Sequence, residues 1–306
     1  MRVLVTGAAG FAARHLVPEL AAHGHAVTAS DVVDTPAGAA AAVKRADLTD
    51  RAAVDALVET AAPEACVHLG AIAFVPEGEQ HPGRMTRVNF EGTLNLLDAF
   101  ASHAPDARIL VVSTAHVYGN RGGPEAIAEE APLLPATRYA ATKAAADVAA
   151  LGAAAARGAP VMTARPANHT GPGQPPRFVV PALAAQVRAV ADGRTAAVLR
   201  VGNLDSEREF CDVRDVVRAY RLLLERGTPG RAYNIGSGRR VPIRSILEKL
   251  CAAAGLDPRV EVDPDLYRPT DRSPLLNSAR IRSETGWSAA IELEQTLGDV
   301  LHGVET

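Results

Sequence analysis

The sequence predicts an α/β protein, with a doubly wound parallel sheet followed by a smaller mixed α/β domain that binds substrate. In the first half, short β-branched apolar runs alternate with stretches whose apolar residues recur at helical spacing. This alternation is typical of βαβ units on one parallel sheet. After about residue 165, strand signals become sparse and segments rich in proline and glycine appear, so we expect a second domain there.

The elements of the first domain follow from the apolar periodicity. Its predicted strands are, in order, RVLVT, HAVTASD, ACVHLGA, ARILVVST and APVMTARP. Its predicted helices are FAARHLVPELAAHG, DRAAVDALVETAA, TRVNFEGTLNLLDAFASHA and RYAATKAAADVAALGAAAARG. We place this domain at residues 1–165, with residues from about 205 to 233 partly returning to it.

The second domain is predicted at residues 166–204 and 234–306. Its segments rich in proline and glycine are ANHTGPGQPP and LYRPTDRSP. Helices are predicted at VVPALAAQVRAVADG, IRSILEKLCAAAG and, in the returning segment, VRDVVRAYRLLLERG.

Composition narrows the function classes. The chain of 306 residues is 47% hydrophobic, which is enough for a sizeable core, and its net charge of −3 with scattered Lys and Arg argues against nucleic acid or a membrane surface as partner. No apolar run reaches the length of a membrane span, and the first strand signal leaves no room for a signal peptide. Cys66, Cys211 and Cys251 are far apart, so we expect no disulfide framework, no metal site and a cytoplasmic location.

A glycine loop follows the first strand. In GAAGFAARHL, Gly7 lets the chain turn out of the strand, and Gly10 lets the backbone approach a pyrophosphate. The helix starting near Phe11 would direct its first N–H groups at the phosphates. The next strand ends at Asp31, where a carboxylate binds the adenosine ribose and repels a 2′-phosphate. An ordinary tight turn is the alternative for this loop, and Ala13 occupies the place where a third glycine is more usual.

Residues with hydroxyl groups and a lysine are the candidate catalytic residues. Tyr139 and Lys143 in RYAATK are four residues apart and share a face of the predicted helix. An ammonium group beside a phenol lowers the pKa of the phenol, which makes it usable for proton transfer near neutral pH. Ser113 and Thr114 end the strand before VYG, where a hydroxyl can hold a carbonyl or alcohol oxygen of a substrate.

Taken together, these stretches resemble the extended short-chain dehydrogenase/reductases that act on nucleotide sugars. The matching segments are TGAAGF, ADL, VHLGA, VNFEGTLNLL, STAHVYG, YAATK, RPANHTGPGQ, REFCDVRDVV and YNIGSG. They cover nearly the whole chain. Within that family, RPANHTGPGQPPRFVVPA, VGNLDSEREFCDVRDVVRAY and RPTD look most like reductases of GDP-4-keto-6-deoxy-D-mannose, which form GDP-D-rhamnose.

The resemblance implies a Rossmann domain and assigns cofactor and catalytic roles. The implied cofactor is NAD(H), with NADP(H) not excluded, and the cofactor-binding residues are Gly7, Gly10, Phe11, Asp31, Asp47, Leu48, Leu69, Gly70, Ala71, Tyr139 and Lys143. The implied catalytic triad is Thr114, Tyr139 and Lys143. Thr114 is preferred to Ser113 because the catalytic hydroxyl of the family lies four residues before the tyrosine of VYG, here Tyr118.

The substrate implied by the resemblance is a small nucleotide sugar. Its contacts would come from Thr114, His116, Asn168, Val180, Arg208 and Arg268, with the arginines neutralising the diphosphate. For each arginine alone, a surface salt bridge is the alternative interpretation.

Residues near the triad discriminate between reactions of the family. The dehydratases carry acidic residues after the catalytic hydroxyl, where this chain has Ala115 and His116, so dehydration is disfavoured. The epimerase-reductases place a cysteine and a histidine where this chain has His116 and Phe178, so double epimerisation is disfavoured too. His116 is open between two roles, catalytic or substrate-binding, because a histidine can move a proton near neutral pH or line the pocket.

The sequence therefore predicts an oxidoreductase that reduces the 4-keto group of a nucleotide-linked 4-keto-6-deoxy sugar. A 4-epimerase with permanently bound NAD is the alternative, because the same triad serves both reactions. A non-catalytic nucleotide sensor is a third hypothesis, against which the intact triad argues. The alanine-rich helix is apolar nearly all round, and in this family such helices pair across a two-fold axis, so we expect a homodimer.

Overall fold

The computed structural model describes residues 1–34, 38, 40, 42–120, 123, 125–267 and 273–303. The strands in these ranges are β1 (Arg2–Thr6), β2 (Ala26–Asp31), β3 (Ala42–Arg45), β4 (Ala65–His68), β5 (Arg108–Val112), β6 (Val161–Pro166), β7 (Asn168–Thr170), β8 (Val198–Val201), β9 (Glu207–Asp212), β10 (Ala232–Ile235), β11 (Arg240–Pro242) and β12 (Arg259–Val262).

The helices in the same ranges are α1 (Phe11–Ala22), α2 (Arg51–Ala61), α3 (Val75–Gln80), α4 (Pro82–Thr86), α5 (Gly92–His103), α6 (Arg138–Arg157), α7 (Val179–Ala191), α8 (Val213–Arg226), α9 (Ile243–Ala253), α10 (Ala279–Thr285) and α11 (Leu293–His302). A π-helical turn spans Arg87–Glu91, and 3-10 turns span Ala115–Tyr118 and Pro264–Leu266. None of these helices is long and apolar enough to cross a lipid bilayer.

A seven-stranded sheet organises the first part of the chain. Its order is β10-β6-β5-β4-β1-β2-β3, and all neighbouring strands are parallel. The chain winds one way from β1 to β3 and the other way from β4 to β10, so the order switches between β1 and β4. Ligands of doubly wound sheets bind at such a switch, outside the carboxyl ends of the strands. The predicted Rossmann fold class is confirmed.

Helices cover both faces of this sheet. On one face, α1 and α8 pack through Leu16, Leu20 and Tyr220 against the apolar side chains of β1, β4 and β5. On the other face, α2, α5 and α6 close a second core that includes Phe100 and Ala150. The sheet is therefore buried on both sides, which is typical of parallel sheets built from βαβ units.

Smaller sheets and a separate core form the second part. The β11-β9-β7 sheet and the two-stranded β12-β8 sheet lie with α7, α9 and α11, whose buried apolar side chains form this core. The predicted division at 234–306 does not match the packing everywhere, because β10 joins the large sheet and Ile281 and Trp287 lie in its core. The domain boundaries themselves stay a prediction.

Candidate active site

The glycine loop between β1 and α1 lies against the end of β4. Gly7 has a φ of +71°, and a Cβ built there would lie 2.6 Å from the backbone nitrogen of Gly70. Only glycine allows both this conformation and this approach. Gly10 is the N-cap of α1 and provides no side-chain cap, so the positive end of the helix dipole can meet an anion. The ring of Phe11, the first residue of α1, stacks on that of His169, with centroids 6.2 Å apart.

Two other predicted cofactor residues, Asp31 and Leu48, lie beside this loop. Asp31 Oδ2 accepts a hydrogen bond from the backbone of Ala9 at 3.0 Å, so the carboxylate is held next to the glycine loop. Leu48 packs against Gly70, because a Cβ on that glycine would lie 2.4 Å from Leu48 Cδ1. Asp47 is exposed and caps its own turn by accepting from the backbone nitrogen of Thr49 at 2.8 Å. Leu69 and Ala71 flank Gly70 in the loop after β4.

These residues fit a dinucleotide. The close approach at Gly7 leaves a cradle that a Cβ would fill, the uncapped start of α1 offers N–H groups to a pyrophosphate, and Asp31 offers carboxylate oxygens to a ribose.

Tyr139 and Lys143 are placed by the start of α6. Thr137 caps that helix, because its Oγ1 accepts from the backbone nitrogen of Ala140 at 3.1 Å. Tyr139 follows in the first turn and Lys143 lies one turn later, on the same face. The side chains of Tyr139 and Thr114 are joined by a hydrogen bond. The structure therefore brings the predicted triad together.

Burial controls the protonation of the triad. It raises the pKa of Tyr139 to about 12, and the hydrogen bond with Thr114 opposes the rise. Burial also lowers the pKa of Lys143 to about 8, opposed by the carboxylate of Asp147. Loss of solvation thus dominates at Tyr139, and the effect of Lys143 on the pKa of this phenol stays a prediction. The phenol is protonated at neutral pH and is thus a proton donor.

Thr114 and Ser113 differ in their surroundings. Thr114 Oγ1 meets Tyr139 and also accepts from the backbone nitrogen of His116 at 3.3 Å, which caps the 3-10 turn that follows. Ser113 Oγ is buried and makes no hydrogen bond to any part of the chain that the structure describes. This contrast favours Thr114 as the catalytic hydroxyl.

A buried polar network lies behind the triad and supports it. Asp147, one turn after Lys143, accepts from Arg165 Nε at 2.8 Å, and both side chains are almost fully buried. Arg165 also donates to Tyr118 Oη at 2.9 Å, and Tyr118 donates to Asn234 Oδ1 at 2.7 Å. Breaking a buried pair of this kind costs about 3–5 kcal/mol. The network joins α6, β6, β10 and the 3-10 turn that follows Thr114.

Asn89, which was not among the predicted site residues, ties the cofactor loop to α6. It is buried in the π-helical turn, and its Oδ1 accepts from the backbone nitrogen of Ile72 at 2.7 Å. Its Nδ2 donates to Ile72 O and to Thr142 Oγ1, both at 3.1 Å. The sequence feature that points to Asn89 is its position as an asparagine in the largely apolar helical stretch VNFEGTLNLL.

His68 is a second buried polar group near the site, and no sequence motif indicates its role. Thr93 Oγ1 donates to the backbone oxygen of Asn89 at 2.8 Å, so it accepts from His68 Nε2 at 3.0 Å. His68 Nδ1 then accepts from Thr6 Oγ1 at 2.7 Å. Burial and the charge of Lys143 lower the pKa of His68 to about 3, so this ring is neutral and links β1, β4 and α5.

The predicted substrate residues lie in different surroundings. His116 and Asn168 come together, with His116 Nε2 3.4 Å from Asn168 Oδ1. Arg208 is partly buried on β9, opposite Val241 of β11. Val180 is 1% exposed and its side chain packs in the core of α7, α9 and α11, so its place in the sugar-nucleotide site stays a prediction. Arg268 lies outside the described residues.

The cleft near α3 also carries an aromatic pair. Phe74 and Phe178 meet edge to face with ring centroids 6.0 Å apart, and the guanidinium of Arg177 lies over both rings. Phe178 therefore packs against an apolar partner. Within the described ranges, no cluster of three histidines, cysteines or carboxylates is arranged to hold a metal ion.

Comparison with known families decides the relationship. Residues 3–236 match the model of the NAD dependent epimerase/dehydratase family. The chain belongs to that family.

Individual members of this family are similar over the full length. The chain is 34% identical over 308 residues to the GDP-6-deoxy-D-mannose reductase of Pseudomonas aeruginosa, covering 100% of this chain and 97% of that protein. Its fold matches the structure of RMD from Pseudomonas aeruginosa complexed with NADPH, with a TM-score of 0.87, 32% identity, and 99% and 98% of the two chains covered. It also matches the UDP-glucose 4-epimerase of Thermus thermophilus in complex with NAD, with a TM-score of 0.87, 28% identity and the same coverage.

Proposed function

We propose that this protein reduces the 4-keto group of GDP-4-keto-6-deoxy-D-mannose to give GDP-D-rhamnose, using NADH or NADPH. The observation that carries the proposal is the pairing of a protonated Tyr139 with Thr114, one turn from the buried Lys143. Full-length similarity to a GDP-6-deoxy-D-mannose reductase supports the choice of sugar and nucleotide.

In the proposed mechanism, each residue acts on the carbonyl oxygen of the sugar or on the cofactor. The reduced nicotinamide, when bound, supplies the hydride. Thr114 donates a hydrogen bond to the keto oxygen and orients it. Tyr139 gives its phenolic proton to the same oxygen as negative charge develops there. Lys143 binds the nicotinamide ribose and, when protonated, stabilises the phenolate left on Tyr139.

The residues after Thr114 oppose dehydration. Elimination of water needs an acid and a base beside the sugar, and Ala115 and His116 offer no carboxylate there. His116 contacts Asn168, and we assign it to the wall of the sugar site. His116→Ala is then expected to raise KM while leaving kcat nearly unchanged, whereas loss of kcat would assign proton transfer to it.

A 4-epimerase is the second candidate, favoured by the likeness to a UDP-glucose 4-epimerase. Such an enzyme returns hydride to the opposite face of the sugar and needs no added reductant. The two candidates are distinguished by denaturing the purified protein and measuring the NAD⁺ that it releases. A stoichiometric amount of released NAD⁺ supports the epimerase, and its absence supports the reductase.

Tyr139→Phe tests whether the protein is an enzyme at all. The substitution removes only the hydroxyl, so binding of NADPH and of GDP is expected to persist while turnover falls by about 100-fold or more, as for loss of a general acid. A nucleotide sensor would have no substrate-dependent turnover to lose in either form.

The proposed assembly is a homodimer formed through α5 and α6. Val148, in the middle of α6, is 59% exposed, and the neighbouring exposed positions Gly152, Ala155 and Ala156 are small. A partner helix can therefore approach α6 closely. Val148→Glu is expected to yield a monomer by light scattering.

We also place the protein in the cytoplasm, in keeping with its free, buried cysteines.

A further inference from the structure

Glu209 is a buried carboxylate on the central strand of the β11-β9-β7 sheet. One carboxylate oxygen accepts from the backbone nitrogen of Gly238 at 2.6 Å, and the other accepts from that of Leu276 at 2.8 Å. The fit is close, because a Cβ on Gly236 would lie 2.4 Å from Glu209 Oε1. Glu209 therefore joins two segments that are distant in sequence to β9.

The backbone of Glu209 also binds the side chain of Asn168. Asn168 Nδ2 donates to the backbone oxygen of Glu209 at 3.2 Å and to Ser273 Oγ at 3.0 Å. Both amide hydrogens are thus directed away from His116, so the amide oxygen faces His116 Nε2 at 3.4 Å. Ser273 belongs to the segment that the Glu209 carboxylate anchors at Leu276.

We propose that Glu209 is a positioning residue for the nucleotide-sugar site, because its carboxylate fixes the segment 273–276 and thereby the orientation of Asn168 toward His116. This inference rests on the proposed function, since it assigns the residues it positions to binding of the nucleotide sugar. It adds a residue that would contact neither cofactor nor substrate and would act only through the groups it holds.

The carboxylate is suited to this positioning role and not to simple packing. Burial raises the pKa of Glu209 to about 7, opposed by the backbone N–H groups of Gly238 and Leu276 and by Arg240 on β11. A hydrophobic residue could fill the space, but it would leave those N–H groups without an acceptor. Hydrogen bonds to a charged group are stronger than those between neutral groups, so loss of one allows the segment to shift.

Glu209→Gln is the direct test. The amide keeps the shape but turns one acceptor into a donor that faces an N–H group. We expect KM for GDP-4-keto-6-deoxy-D-mannose and Kd for GDP, by calorimetry, to rise about tenfold, as expected for one lost hydrogen bond to a charged group. We expect kcat and the Kd for NADPH to stay within about twofold of the wild-type values, because the triad and the glycine loop lie on other elements. Glu207→Gln, an exposed carboxylate on the same strand, is the matched control and should change neither.

A second variant tests the same contact in case Glu209→Gln does not fold. Ser273→Ala removes one partner of the Asn168 amide without touching the buried carboxylate, and it should raise the same KM and Kd. Asn168→Ala combined with Glu209→Gln should cost less than the sum of the two single effects. The positioning role would be overturned if Glu209→Gln lowered NADPH affinity, kcat and GDP affinity equally, while Ser273→Ala changed none of them. That result would show that Glu209 contributes only to the stability of the fold.

The binding measurement is repeated with UDP and dTDP so that the choice of base does not decide the outcome. Binding of only UDP or dTDP by the wild type would overturn the proposed GDP substrate, and the Glu209 comparison would then be made on that nucleotide. Normal GDP binding by Glu209→Gln would overturn the inference and leave the proposed function intact. A wild type that binds none of the three would overturn both.

Discussion

The side chain of Asn89 donates a hydrogen bond to Thr142 Oγ1 over 3.1 Å, and Thr142 donates in turn to the backbone oxygen of Tyr139 at 2.8 Å. Since Asn89 also holds both backbone polar groups of Ile72, the loop after β4 and the start of α6 form one hydrogen-bonded unit. The loop after β4 and Tyr139, the proposed proton donor, are thereby fixed relative to one another.

Thr142→Val tests this connection. Valine keeps the shape of threonine but leaves one of the two N–H groups of the buried Asn89 amide without an acceptor, which costs about 1–3 kcal/mol. We expect a lower melting temperature and a kcat reduced about tenfold, because a small displacement of Tyr139 misaligns the proton donor. Thr142→Ser keeps the hydroxyl and should retain most of both. Equal behaviour of the two variants would show that the hydrogen bond does not matter.

Gly7→Ala should weaken cofactor binding. The residue has positive φ, and the added methyl would meet the backbone of Gly70 at 2.6 Å, so the loop must move. Fluorescence titration with NADH should show Kd raised more than about tenfold, in line with closure of a phosphate cradle. Gly24→Ala is the control, because its φ is +79° and nothing lies within 4 Å of the new methyl. If it loses NADH affinity equally, backbone strain alone explains the effect.

Lys143→Met should stabilise the protein while it removes activity. Burial lowers the pKa of Lys143 from 10.5 to about 8, so between these two pH values the folded protein releases a proton that the unfolded chain keeps. Below pH 8 the charged lysine therefore opposes folding, by up to about 3 kcal/mol at 1.36 kcal/mol per unit of pKa. This cost fades as the pH rises from 8 to 10.5, where the lysine becomes neutral in both states.

The gain in the free energy of unfolding for Lys143→Met should accordingly be largest at pH 7 and nearly absent at pH 10.5. Urea denaturation at several pH values measures it. Lys249→Met, on the exposed side of α9, should change stability little at any pH. A stability difference for Lys143→Met that does not vary with pH would contradict the burial of a charged lysine.

Asp31→Asn should change the choice of cofactor. The carboxylate lies beside the glycine loop at Ala9, where it repels a 2′-phosphate, so the wild type should use NADH better than NADPH. Neutralising it should shift the ratio of kcat/KM values toward NADPH by about tenfold, the effect of a single charge at close range. A wild type that prefers NADPH and is unaffected by the substitution would show that Asp31 does not bind the ribose.

The strands that the sequence predicted are those with strong apolar runs in the centre of the sheet, such as RILVV of β5. The outer strand β3, with the sequence AVKR, was missed because it is short and exposed at the sheet edge. β10 was missed because its four residues follow a helix and join the sheet beside β6, far away in sequence.

The site was predictable where a motif fixes the backbone, as at Gly7 and Tyr139, and not where contacts between distant segments decide. Val180 illustrates the limit, since its position in the motif does not reveal that its side chain faces the core. Glu209 and Asn89 owe their roles to partners more than 15 residues away, which no local pattern shows. The pKa of Tyr139 depends on burial, which the spacing to Lys143 does not report.

The central claim is reduction of a 4-keto sugar nucleotide by way of Tyr139. The most direct measurement mixes the purified protein with GDP-4-keto-6-deoxy-D-mannose and NADH or NADPH, and follows the absorbance of the reduced nicotinamide. We predict rapid oxidation that depends on the substrate, forms GDP-D-rhamnose and disappears in Tyr139→Phe. No oxidation with either cofactor, or undiminished oxidation by Tyr139→Phe, would contradict it.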